Sequence, residues 1–514
     1  MARAALLVAA SLALIVVTAC SGAPSSDPIG DPSPDGFTIT VASVSEPISL
    51  DPHRSFDQTS ARVMRQVYDT LVIQTESLDL EPGLAVGWTR VDDRTWDFAI
   101  RPNVTFHDGS TLTASDVVFT LERLRDPATM APGAFLLAAI DSIDLVDTMT
   151  VRITTHSPFV PILTHLAQTF VGILSEDAVT AAGDAYGDTV VVGTGPFRFV
   201  SWDADTEIVL ERNDTWWGGD VGPERIVFRP IPDAADRATA LETGEADVAY
   251  ALARADALRV RDDDDITTAE IETPTSSYIG FNAQRAPFDD VRVRQAINHA
   301  VDVDAIIDEV FEGFGARAAS PLSPQVFAAN PELEPYAYDP ALARALLTDA
   351  GLADGFSTTI WTNFNPVRIA VAERVAEHLD AVGIDVEVEV IEFSRYLTDT
   401  AAGEHEMFVL AWTALTADAD SGLYALFHSS TFGSAGNRTF WSNARVDELL
   451  ELGRTTADPD ERRAIYYEAQ DIITTEAPWL FLYTGIEASA TRANVTGFVP
   501  HPTGHHRLFG LGLE

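Results

Sequence analysis

The residue groupings that could carry chemistry are few, and each fails on spacing or context. His405-Glu406 opens an HExxH zinc signature, but the fifth position is Val409, so the second histidine on the same helical face is missing. Gly313-Phe314-Gly315-Ala316-Arg317-Ala318 fits a loose GxGxxA, yet it follows an apolar helical stretch, Ile306–Phe311, where a dinucleotide loop must follow a strand. Gly193-Thr194-Gly195-Pro196 reads as a turn. No GxSxG elbow occurs. Asp262–Asp265 lacks the spacing and glycine of an EF-hand and reads as a solvated acidic loop, and His505-His506 reads as surface. All 33 basic residues are Arg, which removes Schiff-base and Walker lysine chemistry. A single cysteine excludes a disulfide scaffold, a Cys-based zinc site and a CxxC redox motif. With 78 acidic residues and a net charge of −45, nucleic acid is not a partner. Nothing here argues for an enzyme, a cofactor or a resident metal.

The aromatic residues are more informative. Among 9 Trp, 11 Tyr and 26 Phe, most belong in cores, but Trp412, Phe393, Tyr250, Tyr278 and Tyr483 fall at strand ends or chain crossings, where a binding pocket forms.

The elements that would position them can be read from local pattern. At 514 residues the chain predicts roughly three domains. Phe37–Val44, Thr95–Arg101, Met149–Thr155, Glu207–Arg212 and Arg225–Pro230 read as strands, and Arg62–Leu71 as a helix. Thr113 and Asp116 have capping-box spacing ahead of an apolar stripe of Val117, Val118, Leu121 and Leu124. From Phe288 helix and strand alternate. Asp339-Pro340 starts a helix that buries Leu342, Leu346 and Leu347 and stops at Gly351. Thr358–Thr362, Val367–Val382, Ile384–Ile391, Ser394–Ala402 and Met407–Trp412 then form β-α-β-α-β, a parallel sheet whose ligands sit beyond the carboxyl ends of its strands, where Trp412 lies. Helices Ala444–Arg454 and Pro459–Ala477 follow, and the chain returns through Leu480–Tyr483.

The N-terminus reads as an address. A basic start at Arg3 leads into an apolar run, Ala4–Ala19, too short to span a bilayer. Val17-Thr18-Ala19-Cys20 resembles the lipobox of bacterial lipoproteins, with the sole cysteine at the lipidated position. Residues 1–19 are then a signal peptide, and 20–36, rich in Pro, Gly, Ser and Asp, a tether holding the protein on the outer face of the cytoplasmic membrane.

Several motifs occur in a fixed order: Val67-Tyr68-Asp69, Leu84-Ala85-x-x-Trp88, Trp96-x-Phe98-x-Ile100-Arg101, Phe106-His107-Asp108-Gly109 and Asp116-Val117-Val118-Phe119. They continue with Gly193–Phe197, Glu211-Arg212-Asn213-x-x-Trp216-Trp217, Leu241-x-x-Gly244-Glu245-x-Asp247, Phe281-Asn282 and Pro287-Phe288-x-Asp290–Ala296. In these the chain resembles the bacterial extracellular solute-binding proteins of family 5, the peptide and nickel binders of ABC importers. The resemblance implies an α/β, two-lobed periplasmic-binding-protein fold with a third, α+β domain inserted in lobe I. Lobe I would comprise 37–70, 193–275 and 485–514, the inserted domain 71–192, and lobe II 276–484, with hinges near Thr273–Tyr278 and Tyr483–Gly485. It further implies a monomer that captures a peptide or other small solute, closes on it, and docks on a permease with its ATPases.

Ligand contacts are expected from Val44, Ser45, Glu46, Tyr250, Tyr278, Asn282, Phe393, Trp412, Leu415, Asp418, Asp420 and Tyr483. Many peptide-binding members pair the peptide ammonium with an Asp three residues after the tryptophan; here that position is Leu415. Either Asp418 or Asp420 takes the role, or the solute has no free amine there. Oligosaccharide or another uncharged solute is an alternative, nickel (His53, His107, His165) a weaker one, and a sensing lipoprotein or a hydrolase on the same scaffold are the competing classes.

Overall fold

A computed structural model describes residues 36–514, so Cys20, the signal segment and most of the tether lie outside the described residues. One sheet of 11 strands runs through the molecule, in the order Ile384–Ile391, Phe356–Asn363, Met407–Thr413, Ile266–Phe281, Trp479–Arg492, Val248–Ala249, Thr38–Ser43, Arg225–Pro230, Glu207–Arg212, Phe197–Asp203, with Ala316–Arg317 added beside Trp479–Arg492. Two long antiparallel strands, Ile266–Phe281 and Trp479–Arg492, belong to both halves. Their register slips between Glu272 and Ser276 and again at Ser277/Tyr278. Pro274 sits inside the first slip, where a missing N–H costs no ladder bond.

Each half is covered on both faces. In the C-terminal half, Val293, Ile297, Val371, Val375 and Leu379 pack one face of the sheet, and Leu423, Leu426, Leu449, Tyr466 and Ile473 the other. Phe356–Asn363 lies parallel to both Ile384–Ile391 and Met407–Thr413, as the β-α-β-α-β pattern predicts. In the N-terminal half, Ala238, Leu241, Ala257 and Val260 cover one face. On the other face a four-stranded sheet (Ala85–Arg90, Thr95–Ile100, Ile140–Asp147, Thr150–Thr155) and the helix Ala114–Arg125 share one continuous core with Ile39, Val41 and Phe228.

The caps explain the helix boundaries. Asp116 accepts both the N–H and the hydroxyl of Thr113, and Asp458 accepts the amides of Asp460 and Glu461. Asp339 accepts from Ala341 and Leu342, but Leu342 itself is exposed; Ala343 and Leu347 form the buried face. The expected helix Arg62–Leu71 is Gln58–Val67, because Asp57 caps it through Ser60 and the chain turns extended at Tyr68. His505-His506 is not surface: His506 is buried against Glu487 and the ring of Tyr250.

Three of the ordered motifs meet at one carboxylate. Asp69 accepts from Thr194 Oγ1 at 2.9 Å, Trp217 Nε1 at 2.7 Å and Trp216 Nε1 at 3.3 Å. Burial holds its pKa above the ordinary value, against the pull of those donors. Gly193 and Gly195 let the turn press on the end of the helix: Gly195 N donates to Val67 O at 2.9 Å, and a Cβ on Gly193 would lie 2.1 Å from that oxygen. Gly193→Ala is therefore expected to cost about 1–3 kcal/mol through forced separation of packed backbone, read as a lower denaturation midpoint at unchanged m.

Candidate functional site

Beside the strand slip, a cleft opens between the halves. A cavity of about 240 Å³ is lined on the N-terminal side by Phe56, Gln58, Phe170, Glu487 and His505, with Thr273–Thr275 from the crossing strand and Thr413 and Leu415 opposite. A second cavity of about 700 Å³ is bounded by Phe135, Ala138, Phe159 and His165 on one side and Trp412, Leu415, Asp420, Tyr424 and Arg454 on the other. Thr413 and Leu415 border both, so the two are compartments of one cleft. Leu415 is 41 % exposed between them.

The loop that carries Leu415 is held from both sides. Ala414 N donates to Pro274 O at 2.8 Å, Gln74 Nε2 to Thr416 O at 3.1 Å, and Phe327 N to Ala417 O at 2.8 Å. Val160 N donates to Arg454 O at 2.7 Å, a further bond across the cleft. Trp412 is fixed by its Nε1 bond to Ser421 O at 2.8 Å.

Of the expected contacts, Trp412, Leu415 and Asp420 line the cleft. Phe393 is half exposed at the start of helix Phe393–Ala401, beyond the carboxyl end of Ile384–Ile391. Tyr483 packs on Phe311 in the long crossing strand. Val44–Glu46 follow the first strand; Ser45 Oγ meets Thr59 Oγ1 at 3.1 Å, and Glu46 accepts from Trp202 Nε1 and Asp205 N.

Four others lie in the interior rather than on the cleft wall. Asp418 is 1 % exposed, and its two oxygens accept from Arg462 at 2.6 and 2.7 Å. That pairing removes it as a replacement anchor for an ammonium in this conformation. Tyr278 stacks on Trp479 with ring centroids 3.5 Å apart, Asn282 ties down the carbonyls of Gly403 and His405, and Tyr250 lies under the guanidinium of Arg62. Phe56, Phe170, His505, Phe135, Phe159 and Arg454 were not legible as cleft residues, since no motif or periodicity sets them apart from core positions.

The charges facing the cleft are matched. Asp420 accepts from Arg454 Nε at 2.7 Å; burial would lower the arginine's pKa, but the Asp420 charge outweighs it and holds it raised. Burial likewise works to raise Glu487, yet the bond from His506 and the charge of Arg62 hold it below the ordinary carboxylate range. His405 precedes a strand, not a helix, and Glu406 is spent on Thr358 and Thr359. His53, His107 and His165 are tied separately to Arg123, Gly195 and Leu136. Among the described residues no group of three or more His, Cys, Asp or Glu is arranged to hold a metal, and no helix is long and apolar enough to cross a membrane.

Residues 79–434 match the family described as "Bacterial extracellular solute-binding proteins, family 5 Middle". The chain belongs to this family. Heme-binding protein A of Haemophilus influenzae is 31% identical over 508 residues, covering 93% of this chain and 92% of that relative. The glutathione-binding protein GsiB of Pectobacterium atrosepticum is 33% identical over 463 residues, 88% of this chain and 90% of its own. The structure of HbpA2 from Haemophilus parasuis superposes with a TM-score of 0.87 at 29% identity, covering 93% of this chain and 99% of that one. Family 5 members are two-lobed binders of transported solutes and not enzymes, in keeping with the absence of any catalytic constellation from the sequence.

Proposed function

We propose that this family 5 protein captures a peptide or peptide-like solute between its lobes and delivers it unaltered to the permease and ATPases of an ABC importer. The reading rests above all on the shared cleft, whose walls come from both halves and meet at Leu415 and the slipped strands. Lobe I is 37–70, 193–275 and 485–514, the inserted domain 71–192 and lobe II 276–484, with the hinge near Thr273–Tyr278 and Tyr483–Gly485. Only contacts that a solute makes to both lobes at once bias closure, and shifting the equilibrium from 1:99 to 99:1 takes about 5.5 kcal/mol of them. A relative named for glutathione, itself a small peptide, supports the solute class. Cys20 carries the lipid anchor, residues 21–36 join it to the folded body, and the protein works as a monomer.

Mass spectrometry of solute retained through mild purification identifies the cargo. Adding that solute to protein stripped of it is expected to lower the radius of gyration in X-ray scattering. An unchanged particle, or a solute recovered in cleaved form, would overturn the proposal.

A further inference from the structure

The larger compartment of the cleft has a chemistry of its own. Phe135, half exposed, and Phe159 stand on one wall, and Trp412, Leu415 and Tyr424 stand opposite. Its two full charges cancel: Arg454 is bonded to Asp420 and its Cζ lies over the Tyr424 ring, 3.3 Å from the centroid, with the Phe159 ring at 5.3 Å. His165 is tied to Leu136 O, and burial keeps its pKa below the ordinary value, so it is neutral at pH 7. His156 stands exposed beside Asp141. Across Leu415, in the smaller compartment, Asp57 accepts from Ser60 N and Oγ while Glu487 is paired with Arg62.

We infer that this compartment is a subsite for an uncharged apolar or aromatic group, and that the solute is a peptide-like molecule whose amine is blocked, such as an N-acyl peptide. A bare ammonium beside Leu415 would lose water without gaining a free carboxylate, since the one acid lining this compartment, Asp420, is already closed on Arg454. An aromatic acyl group would instead meet the rings of Phe135, Trp412 and Tyr424 and bury apolar surface. The inference rests on the cleft being the ligand site and adds the class of ligand.

The test is calorimetric titration of a tripeptide panel, each member prepared as free amine, N-acetyl and N-benzoyl forms. The wild-type protein is expected to bind the benzoyl form on the order of tenfold tighter than the acetyl form, and the free amine weakest. Leu415→Asp supplies a carboxylate and should improve the free amine relative to its acetyl twin on the order of tenfold or more. Ala138→Trp fills the compartment from an exposed position and should bring the benzoyl form's affinity down to that of the acetyl form. Free amines binding as well as or better than their acetyl twins, or a benzoyl preference that survives Ala138→Trp, would overturn the inference and leave the peptide reading standing. A panel in which no member binds sinks both.

Discussion

Lowering the pH from 7.5 to 5 is expected to depress the thermal midpoint steeply. Among the described residues seven histidines are held below their ordinary pKa by burial: His53, His405 and His501 at about 3, His107 at about 4, and His165, His505 and His506 to lower values than 6.5. Arginines reinforce the burial, Arg123 at His53 and Arg65 and Arg507 at His501. The folded state therefore keeps these rings neutral, while the unfolded chain takes up protons once the pH drops below about 6.5. Stability is complete above that value and is lost as the pH falls toward the folded-state values. Each histidine contributes a slope of about 1.4 kcal/mol per pH unit, so the seven set an upper limit near ~10 kcal/mol per unit. Scanning calorimetry in buffers of different ionisation enthalpy reads both the midpoint and the protons taken up. A midpoint that holds steady or rises down to pH 5 would contradict the account. His53→Gln should flatten the slope by the share of one proton.

The Asp418–Arg462 pair predicts the second large effect. Asp418→Ala removes both oxygens from a buried guanidinium and leaves it Gly453 O at 2.7 Å and Tyr466 Oη at 3.3 Å. An uncompensated buried charge of this kind costs about 3–5 kcal/mol, readable in chemical denaturation. Adding Arg462→Met should recover about 1–4 kcal/mol, because an apolar side chain of similar volume needs no partner. The preference between free-amine and N-acetyl peptides should not move in Asp418→Ala, since Arg462 already occupies both carboxylate oxygens. A shift in that preference would return Asp418 to the ligand contacts.

The particular elements show which information was local. Asp339-Pro340, Asp458-Pro459 and the Thr113–Asp116 pair fix helix starts through bonds spanning two or three residues, and the stretch from Thr358 to Trp412 carries its β-α-β-α-β periodicity in the chain itself. The long strand Ile266–Phe281 escaped notice because its residues alternate only weakly and Pro274 reads as a break; the sheet tolerates that proline only because the register slips there. His505 and His506 look like a polar tail until Glu487, Arg62 and Tyr250, remote in sequence, fold over them.

By itself the sequence determined the family, the α/β architecture with its parallel C-terminal sheet, the failure of each catalytic motif on spacing or context and the absence of an acidic residue at position 415, because these depend on residue type and short spacing. The tertiary structure decided which of Asp418 and Asp420 faces the cleft, and brought Phe56, Phe170 and His505 opposite Leu415. The reason is physical: neighbouring carboxylates on one loop are told apart only by the arginines that reach them, and Arg454 and Arg462 arrive on helices more than thirty residues downstream.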